Sequence, residues 1–488
     1  MKASLEALMS AQQFGSGRIG AATANFADVH GVHLYADLRL ELALSAPESP
    51  LDASLYLRIL QAFASSAEAC GRILNMRILE VQGERLHLFR ELPAPTLNTE
   101  TELITFARVL HALAINNIEK EAPGYRATLR FAADQGRSLI IRTSQLDFSD
   151  SIISLGDAAN RPAKRLAVPV KSGGVAAGHL SISRELRAIG PSESSSWKDI
   201  DISEPGQLKD LVDERLRTAG AQFSVVEAQN RSTIEASIAP NPGNPVSAPE
   251  FQTGFMFRAD LDGFSTMVRA AFQGGDGALV NLVENFAKLL KYPELFAESL
   301  PPGFDLTIFP WAGDCANLFV RCKDYSDART YLPNRLGLNW HDLEKSKTVQ
   351  GRALRQAMGE AEWVVAVAGG DPSEQGHGQI LTGNVAAAGR LFRVGAGWSW
   401  RRSLDAEQSI GVRPSDTVIQ VEDFQGLSLP YSDAYEEHET SPSLFRRATL
   451  KALRRVEEEL SGALARQSRT EKYHSITVPR QRPYAESP

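Results

Sequence analysis

The feature that most constrains this chain is that it says one thing twice. Near its start run VHLYADLRLE, then EVQGERLHLF, then ISLGDAANRPAKRL; further on run GFMFRADLDGFS, then PWAGDCANLFV, then ILTGNVAAAGRL. Each pass has the same order: an acid after a small residue on an apolar strand, a Gly-acid pair on a hairpin, then a Gly-Asn-Arg/Lys run. The matching positions Asp37 and Asp260, Glu84 and Asp314, and Lys164 and Arg390 lie nearly the same distance apart along the chain. An internal repeat decides the fold before any local reading does, and two tandem copies of one domain can build a shared cleft inside one polypeptide.

At 488 residues the chain exceeds what one hydrophobic core holds, so several domains are expected. A net charge of −7 gives no electrostatic footprint for nucleic acid, and no apolar run is long enough to span a bilayer. The first residues lack the long apolar stretch of a signal peptide. The three cysteines, Cys70, Cys315 and Cys322, have no zinc-type spacing and read as reduced thiols of a cytoplasmic protein.

The domain expectation is a lead-in over 1–30, a first domain over 31–186, a connecting segment over 187–250, a second domain over 251–425 and a helical tail over 426–488. In the first copy a strand is expected at Val32–Leu40, a helix from about Asp52 to Leu74, and a hairpin of Met76–Val81 and Arg85–Phe89 about Gly83-Glu84. A helix at Glu102–Glu119, strands at Arg126–Phe131 and Ser138–Ile141, and a third helix entered through Ser154–Arg165 follow. In the second copy the pattern predicts a strand at Gly254–Leu261, a helix around Leu279–Lys291, a hairpin on Gly313-Asp314 and a strand at Trp363–Ala368. The order is an α+β ferredoxin-like one, with helices on one face of a mainly antiparallel sheet. Ala239–Pro249 is a Pro-rich linker, Gly15–Gly20 a flexible loop despite its GxGxxG spacing, and Ser443–Arg466 a packed tail helix.

Asp260 in a strand and Asp314 at a hairpin tip could converge on a hard cation with oxygen ligands, and two such metals could bind a triphosphate and activate a ribose hydroxyl. Here a family resemblance becomes specific. FRADLDGFS resembles the metal-binding strand of class III nucleotidyl cyclases, AGDCANLFV their Gly-Asp hairpin, and ISLGDAANRPAKRL their Asn-to-Arg helix start. Six such motifs in register cover most of residues 30–170 and 252–395. The resemblance implies two tandem ferredoxin-like cyclase domains forming an intramolecular pseudo-dimer, so that a monomer suffices, with two composite sites. It implies metals (two Mg²⁺ or Mn²⁺) held by Asp260, the Leu261 carbonyl and Asp314. It implies Asn160 as the ribose-orienting residue and Lys164 where the family has its transition-state Arg, with Arg165 able to substitute. The second site would have Asp37 and Glu84 as a degenerate metal pair and Arg390 as its arginine, with Ala386 or Asn384 in the Asn position.

At the base-reading positions stand Glu80 and Pro310, then Ile153 and Gln379 or Ile380, so the adenine-reading pair is missing from both sites. A Glu at position 80 can accept two hydrogen bonds from guanine, or one from uracil or cytosine. The chain is thereby similar to the Pycsar antiphage pyrimidine cyclases. That likeness implies conversion of UTP, ahead of CTP, to a 3′,5′-cyclic monophosphate and pyrophosphate, with a separate cyclic-nucleotide-sensing effector as the downstream partner. The rival readings are a GTP or ATP cyclase, a catalytically dead pseudo-cyclase acting as a sensor, and a diguanylate-cyclase relative. The last rests on Gly369-Gly370-Asp371-Pro372, which a turn explains better.

Overall fold

The computed structural model describes residues 4–10, 25–42, 53–92, 99–145, 148–168, 170, 173–187, 196–238, 250–300, 304–309, 311–322, 339–340, 342–343, 346–369, 379–396, 416–422, 435–437, 446–448 and 473–479. The chain divides into two compact units: Met1–Phe251 with Leu381–Ala396, and Gln252–Ile380 with Gly397–Pro488.

Unit 1 opens with α1 (Leu5–Ser10) and the long strand β1 (Asn25–Leu42). Then come α2 (Ala53–Leu74), β2 (Arg77–Gln82), β3 (Arg85–Glu91) and α3 (Thr99–Glu121). The series continues with β4 (Tyr125–Gln145), β5 (Phe148–Leu155), α4 (Asp157–Ala167), β6 (His179–Ser183), β7 (Trp197–Asp201) and α5 (Lys209–Ile238). The sheet order is β2-β3-β1-β4-β6-β7, with β5 on β4, and only β4 and β6 run parallel.

Strand alternation sorts the residues of β1. Val32, Leu34, Ala36 and Leu38 enter the main core with Ile59, Leu60, Phe63 and Cys70 of α2 and Phe106 and Leu110 of α3. The α2 positions recur at helical spacing, so one stripe of that helix is apolar and buried. His33, Tyr35, Asp37 and Arg39 fall on the opposite face. That alternation places every polar group of β1 discussed below on one side of the sheet.

The two strands expected at Arg126–Phe131 and Ser138–Ile141 are one continuous strand, because β4 pairs with β1 along its whole length. In the stretch between them Gly136 lies opposite Gly31, where a Cβ on Gly31 would meet the Arg90 carbonyl at 2.4 Å. Pairing with β1 across that stretch keeps the strand unbroken.

Unit 2 carries β8 (Glu250–Asp262), α6 (Phe264–Gly274), α7 (Asp276–Leu289), α8 (Tyr292–Glu298), β9 (Phe304–Ile308) and β10 (Cys315–Cys322). After these come α9 (Val349–Met358) and β11 (Glu362–Gly369). The chain then forms the hairpin β12 (Gln379–Ala387) and β13 (Arg390–Ala396), which belongs to unit 1 from Leu381 onward. It ends with β14 (Asp416–Glu422), the short pair β15 (Tyr435–Glu437) and β16 (Arg446–Ala448), and β17 (Tyr473–Pro479).

Pairing runs β9-β10-β8-β11-β14-β17, again with one parallel step, between β11 and β14. The repeat seen in the motifs is therefore also a repeat of strand order. The core of unit 2 is aromatic: Trp340 meets Trp363 edge-on at 5.2 Å, and Tyr292, Phe257 and Phe296 pack around them.

The GxGxxG run, the Pro-rich linker, Pro310 and Asp371-Pro372 lie outside the described residues. So does most of the expected tail helix; its residues 446–448 are strand β16, not helix. No helix among the described residues is long and apolar enough to cross a membrane.

Candidate functional site

The repeat brings two acid positions into equivalent places, and register decides how they differ. In unit 2, Asp260 on β8 lies opposite Cys315 on β10 and Val364 on β11. Asp314 immediately precedes Cys315 in the β9–β10 turn, after Gly313. Two carboxylates thus sit on neighbouring strands within one residue of register, both half-buried, with Leu261 next in the chain and buried at 1 % exposure. Neither register partner of Asp260 is cationic, but Arg258, two residues earlier on the same face of β8, donates through Nε at 2.8 Å to the Cys315 sulfur opposite it.

In unit 1, Asp37 on β1 lies opposite Arg85 on β3 and Arg130 on β4. Arg130 donates to its carboxylate through Nε at 2.8 Å, and its Nη2 lies 2.6 Å from the same oxygen. Arg39 Nη2 stands 3.3 Å from Oδ2, and Arg85 Nε 3.8 Å from Oδ1. Glu84 accepts a hydrogen bond from the hydroxyl of Tyr56 on α2.

These arrangements test the expected metals. Two carboxylates and a main-chain carbonyl are hard oxygen donors, and Mg²⁺ or Mn²⁺ completes such a set with substrate phosphates and water, so the Asp260, Leu261 and Asp314 group fits. Among the described residues no cluster of three or more His, Cys, Asp or Glu side chains forms a metal centre by itself. The Asp37 and Glu84 pair does not fit: a dication at Asp37 would face three guanidinium groups. The aspartate of the expected degenerate second metal site is engaged by arginines instead.

The helix-borne residues also separate. α4 begins after Gly156, and the Asn160 amide donates to the Gly156 carbonyl at 3.0 Å in its first turn. Asn160 is half-buried and Lys164 exposed. Arg165 is engaged elsewhere. It donates to Ser181 Oγ at 3.0 Å, the Gly173 carbonyl at 2.6 Å and both Asp199 oxygens, and stacks over Trp197. The guanidinium expected to be able to substitute for the transition-state arginine is thus held by β6 and β7.

Arg390 is the larger surprise. The run expected to open a helix is a β-hairpin whose two-residue turn, Ala388-Gly389, has positive φ at both residues (52° and 71°), the geometry that matches strand twist. Arg390 Nη2 donates to the carbonyls of Ile78 at 2.6 Å and Leu79 at 3.2 Å, and the guanidinium covers Phe392. Ala386 is held by Gln61 of α2, whose side-chain amide accepts from its N–H at 2.9 Å and donates to its carbonyl at 2.8 Å. Neither Arg390 nor Ala386 keeps the place on a helix that the resemblance gave it, and Asn384 stands in strand β12.

Arg390 is instead beside Glu80 of β2. Burial pushes the Glu80 carboxyl up to about 8, opposed by the Gln82 side chain and by the charges of Arg390 and Arg85. Its Oε1 is buried without a hydrogen-bond partner. Between the ordinary value of 4.5 and about 8 the folded chain keeps a proton that the unfolded chain releases, so stability falls as pH rises through that window. Glu80→Gln removes this loss. Its stability margin over the parent is expected to grow by up to about 1.4 kcal/mol per pH unit, read by urea denaturation at several pH values from acidic to mildly alkaline. A margin that stays constant would mean that Glu80 is ionised in the fold.

Sequence reasoning missed a buried polar chain on the same sheet face. His33 Nδ1 and His87 Nε2 are 2.9 Å apart, His33 Nε2 is 2.9 Å from Ser138 Oγ, and Tyr35 stacks on His87 at 4.2 Å. Burial lowers His33 to about 3 and holds His87 well below its ordinary value, first by desolvation and then through His33. Both rings are neutral at neutral pH, so one donates to the other. The VHLYAD string held the signal, in a histidine and a tyrosine alternating with Asp37.

With this geometry in place, the chain was compared with known proteins. It is similar to the crystal structure of a class III adenylyl cyclase-like ATP-binding protein from Pseudomonas aeruginosa, with a TM-score of 0.53 and 18% identity over 82% of this chain and 86% of that one. It also matches the guanylyl cyclase Cya2, with a TM-score of 0.26 and 11% identity over 38% of this chain and 98% of that one. A third match is the adenylyl cyclase CyaB from P. aeruginosa, with a TM-score of 0.25 and 14% identity over 33% and 80%. No protein-family model and no curated protein matches the chain. At 18% identity the first of these likenesses is one of fold.

Proposed function

We propose that this chain is a nucleotide cyclase that converts a pyrimidine nucleoside triphosphate, UTP ahead of CTP, to its 3′,5′-cyclic monophosphate and pyrophosphate. The observation that carries the reading is the Asp260 and Asp314 pair, one oxygen donor on β8 and the other in the turn that enters the neighbouring strand β10, with no cation among Asp260's register partners. Two Mg²⁺ or Mn²⁺ ions held by Asp260, the Leu261 carbonyl and Asp314 would supply Lewis acidity to the ribose 3′-hydroxyl and the triphosphate. The reaction is in-line: the 3′-hydroxyl gives its proton to solvent water, the 3′-oxygen bonds to the α-phosphorus, the bond from the α-phosphorus to the bridging oxygen breaks, and pyrophosphate leaves with its electron pair. The resemblance gives Asn160 the ribose-orienting role and puts the exposed Lys164 where the family has its transition-state arginine.

Glu80 is compatible with uracil: a carboxyl that keeps its proton presents one donor and one acceptor, which matches the N3–H and a neighbouring carbonyl of uracil and equally the N4–H and N3 of cytosine. The order of UTP ahead of CTP rests on the likeness to the pyrimidine cyclases. The product would then serve as a second messenger for a separate effector, in the antiviral role that the Pycsar likeness implies.

A second reading, a nucleotide-binding pseudo-cyclase, draws on the arginines around Asp37, which remove one of the two metal positions. Incubating the purified chain with ATP, GTP, CTP and UTP separately in Mn²⁺, with mass-spectrometric detection of cyclic monophosphates, decides between them. One pyrimidine product, cyclic UMP foremost, is expected. A cyclic purine alone would overturn the base assignment, and no product from any of the four would favour the pseudo-cyclase.

A further inference from the structure

Helix α4 carries two pairs of residues at a spacing of four. Arg161 and Arg165 share one flank, and Asn160 and Lys164 share the stripe beside it, because a helix turns about 100° per residue. The apolar side of α4 lies on the sheet, where Leu166 packs with Tyr35 of β1, Ala132 of β4 and Val175. The other small residues on that side are Ala158, Ala159 and Ala163. Ridges of alanine are shallow, so this contact sets the rotation of the helix less firmly than a row of large side chains would.

The arginine flank supplies the rest. Arg161 Nε stands 2.7 Å from Oδ2 of Asp134 on β4, an ion pair without hydrogen-bond alignment, and Nη1 donates to Glu185 Oε1 at 3.0 Å in the turn after β6. Asp134 is wholly buried; Ser183 of β6 donates to its Oδ1 at 2.5 Å and the Gln135 amide at 2.8 Å. The Gln135 side chain donates to the Glu185 carbonyl. One turn on, Arg165 holds Ser181, Gly173 and Asp199. One flank of α4 is thus tied to β4, β6 and β7.

The tie at Asp134 works against the stability of the fold. Facing this acid are His33 opposite it on β1, kept neutral by burial, Ser183 and Glu185 from the β6 side, and Arg161, itself beside Asp157, from α4. Burial pushes the Asp134 carboxyl up to about 6, although Ser183, Arg161 and the Gln135 amide pull it down. The unfolded chain releases this proton near the ordinary 3.8, so the fold loses stability as pH rises from there to about 6, and the ionised acid costs the fold at neutral pH. A buried charge kept at such a cost, and set against an arginine of α4, points to a use other than folding.

We propose that Asp134 and Arg161 are positioning residues, a pair that fixes the rotation of α4 and so sets the direction of its Asn160 and Lys164 stripe. The role of that stripe rests on the cyclase reading; the fixing of the helix does not.

The test uses the full chain with Arg161→Gln, Asp134→Asn and the double variant, assayed on whichever triphosphate the parent cyclises. Each single variant is expected to lower kcat about tenfold or more with KM within about twofold of the parent, because a misdirected group weakens the transition state more than substrate binding. The double variant should lose no more than either single one, since both break the same pair. Asp134→Asn is expected to unfold at a urea concentration no lower than the parent's, so activity falls while stability does not. Arg231→Gln, an exposed arginine on α5, should keep the parental kcat and controls for net charge. Parental kcat in both single variants, additive losses in the double one, or a loss of kcat that follows a loss of stability overturns the proposal. Hydrogen exchange over Gly156–Ala167, read by mass spectrometry, needs no turnover, and it should be about tenfold faster in both single variants while α3 is unchanged. Faster exchange in a chain whose parent forms no cyclic nucleotide keeps the pair and fails the cyclase reading. Unchanged exchange overturns the pair whatever the parent forms.

Discussion

Asp260→Ala and Asp314→Ala are each expected to lower cyclic nucleotide formation about 100-fold or more, while Asp37→Asn keeps a measurable fraction of it. The metals contribute several kcal/mol of transition-state stabilisation, and about 2.7 kcal/mol already corresponds to 100-fold. Either alanine removes one of the two carboxylates that can hold them. Asp37 lies between Arg85 and Arg130 and holds no metal on this reading. Its replacement by the isosteric Asn disturbs an ion-pair cluster and leaves the oxygen donors of unit 2 in place. The measurement is initial rate in Mn²⁺ on variants whose near-ultraviolet circular dichroism matches the parent. Equal loss from all three would sink the asymmetry between the two acid positions.

Phe392→Ala is expected to destabilise unit 1 by about 3–5 kcal/mol, the cost of deleting a large buried aromatic side chain. Phe392 comes late in the chain, yet with Val385, Ala387 and Val394 it joins the core built from α2, α3 and β1. Gln61→Ala is expected to cost less, about 1–3 kcal/mol. That change removes the side chain that satisfies both main-chain groups of Ala386. Urea denaturation gives both values, and limited proteolysis should show earlier cleavage in the 381–396 hairpin. A Phe392 variant as stable as the parent would mean that the hairpin does not complete the core. Because Arg390 reaches the main chain beside Glu80, loosening the hairpin should also release the carbonyls of Ile78 and Leu79.

Much of the strand and helix content was legible from periodicity. Alternation marked β1, and helical spacing of Ile59, Phe63 and their neighbours marked α2, because each element buries one face and the residues of that face are close in sequence. The Gly83-Glu84 and Gly313-Asp314 hairpins were legible from turn chemistry. Two errors share one cause. The run Gly383 to Leu391 looks like the Gly156 to Leu166 run, and only one of them is a helix. In the other, apolar residues on both sides of a two-residue turn pack against Leu57 and α2, and this packing outweighs the helical propensity of the alanines. Arg165 looked available because Ser181 and Asp199, which bind it, are on later strands.

The sequence alone determined that the chain carries one strand-and-hairpin pattern twice, with an acid at the same two points of each copy. Local alternation, helical spacing and turn residues suffice for that, since each is set within a few positions. Only the tertiary structure decided what each acid can do. The register partners of Asp260 are Cys315 and Val364, and those of Asp37 are Arg85 and Arg130. Strand register, which is fixed by the burial of a whole sheet face, brings those residues together from distant parts of the chain.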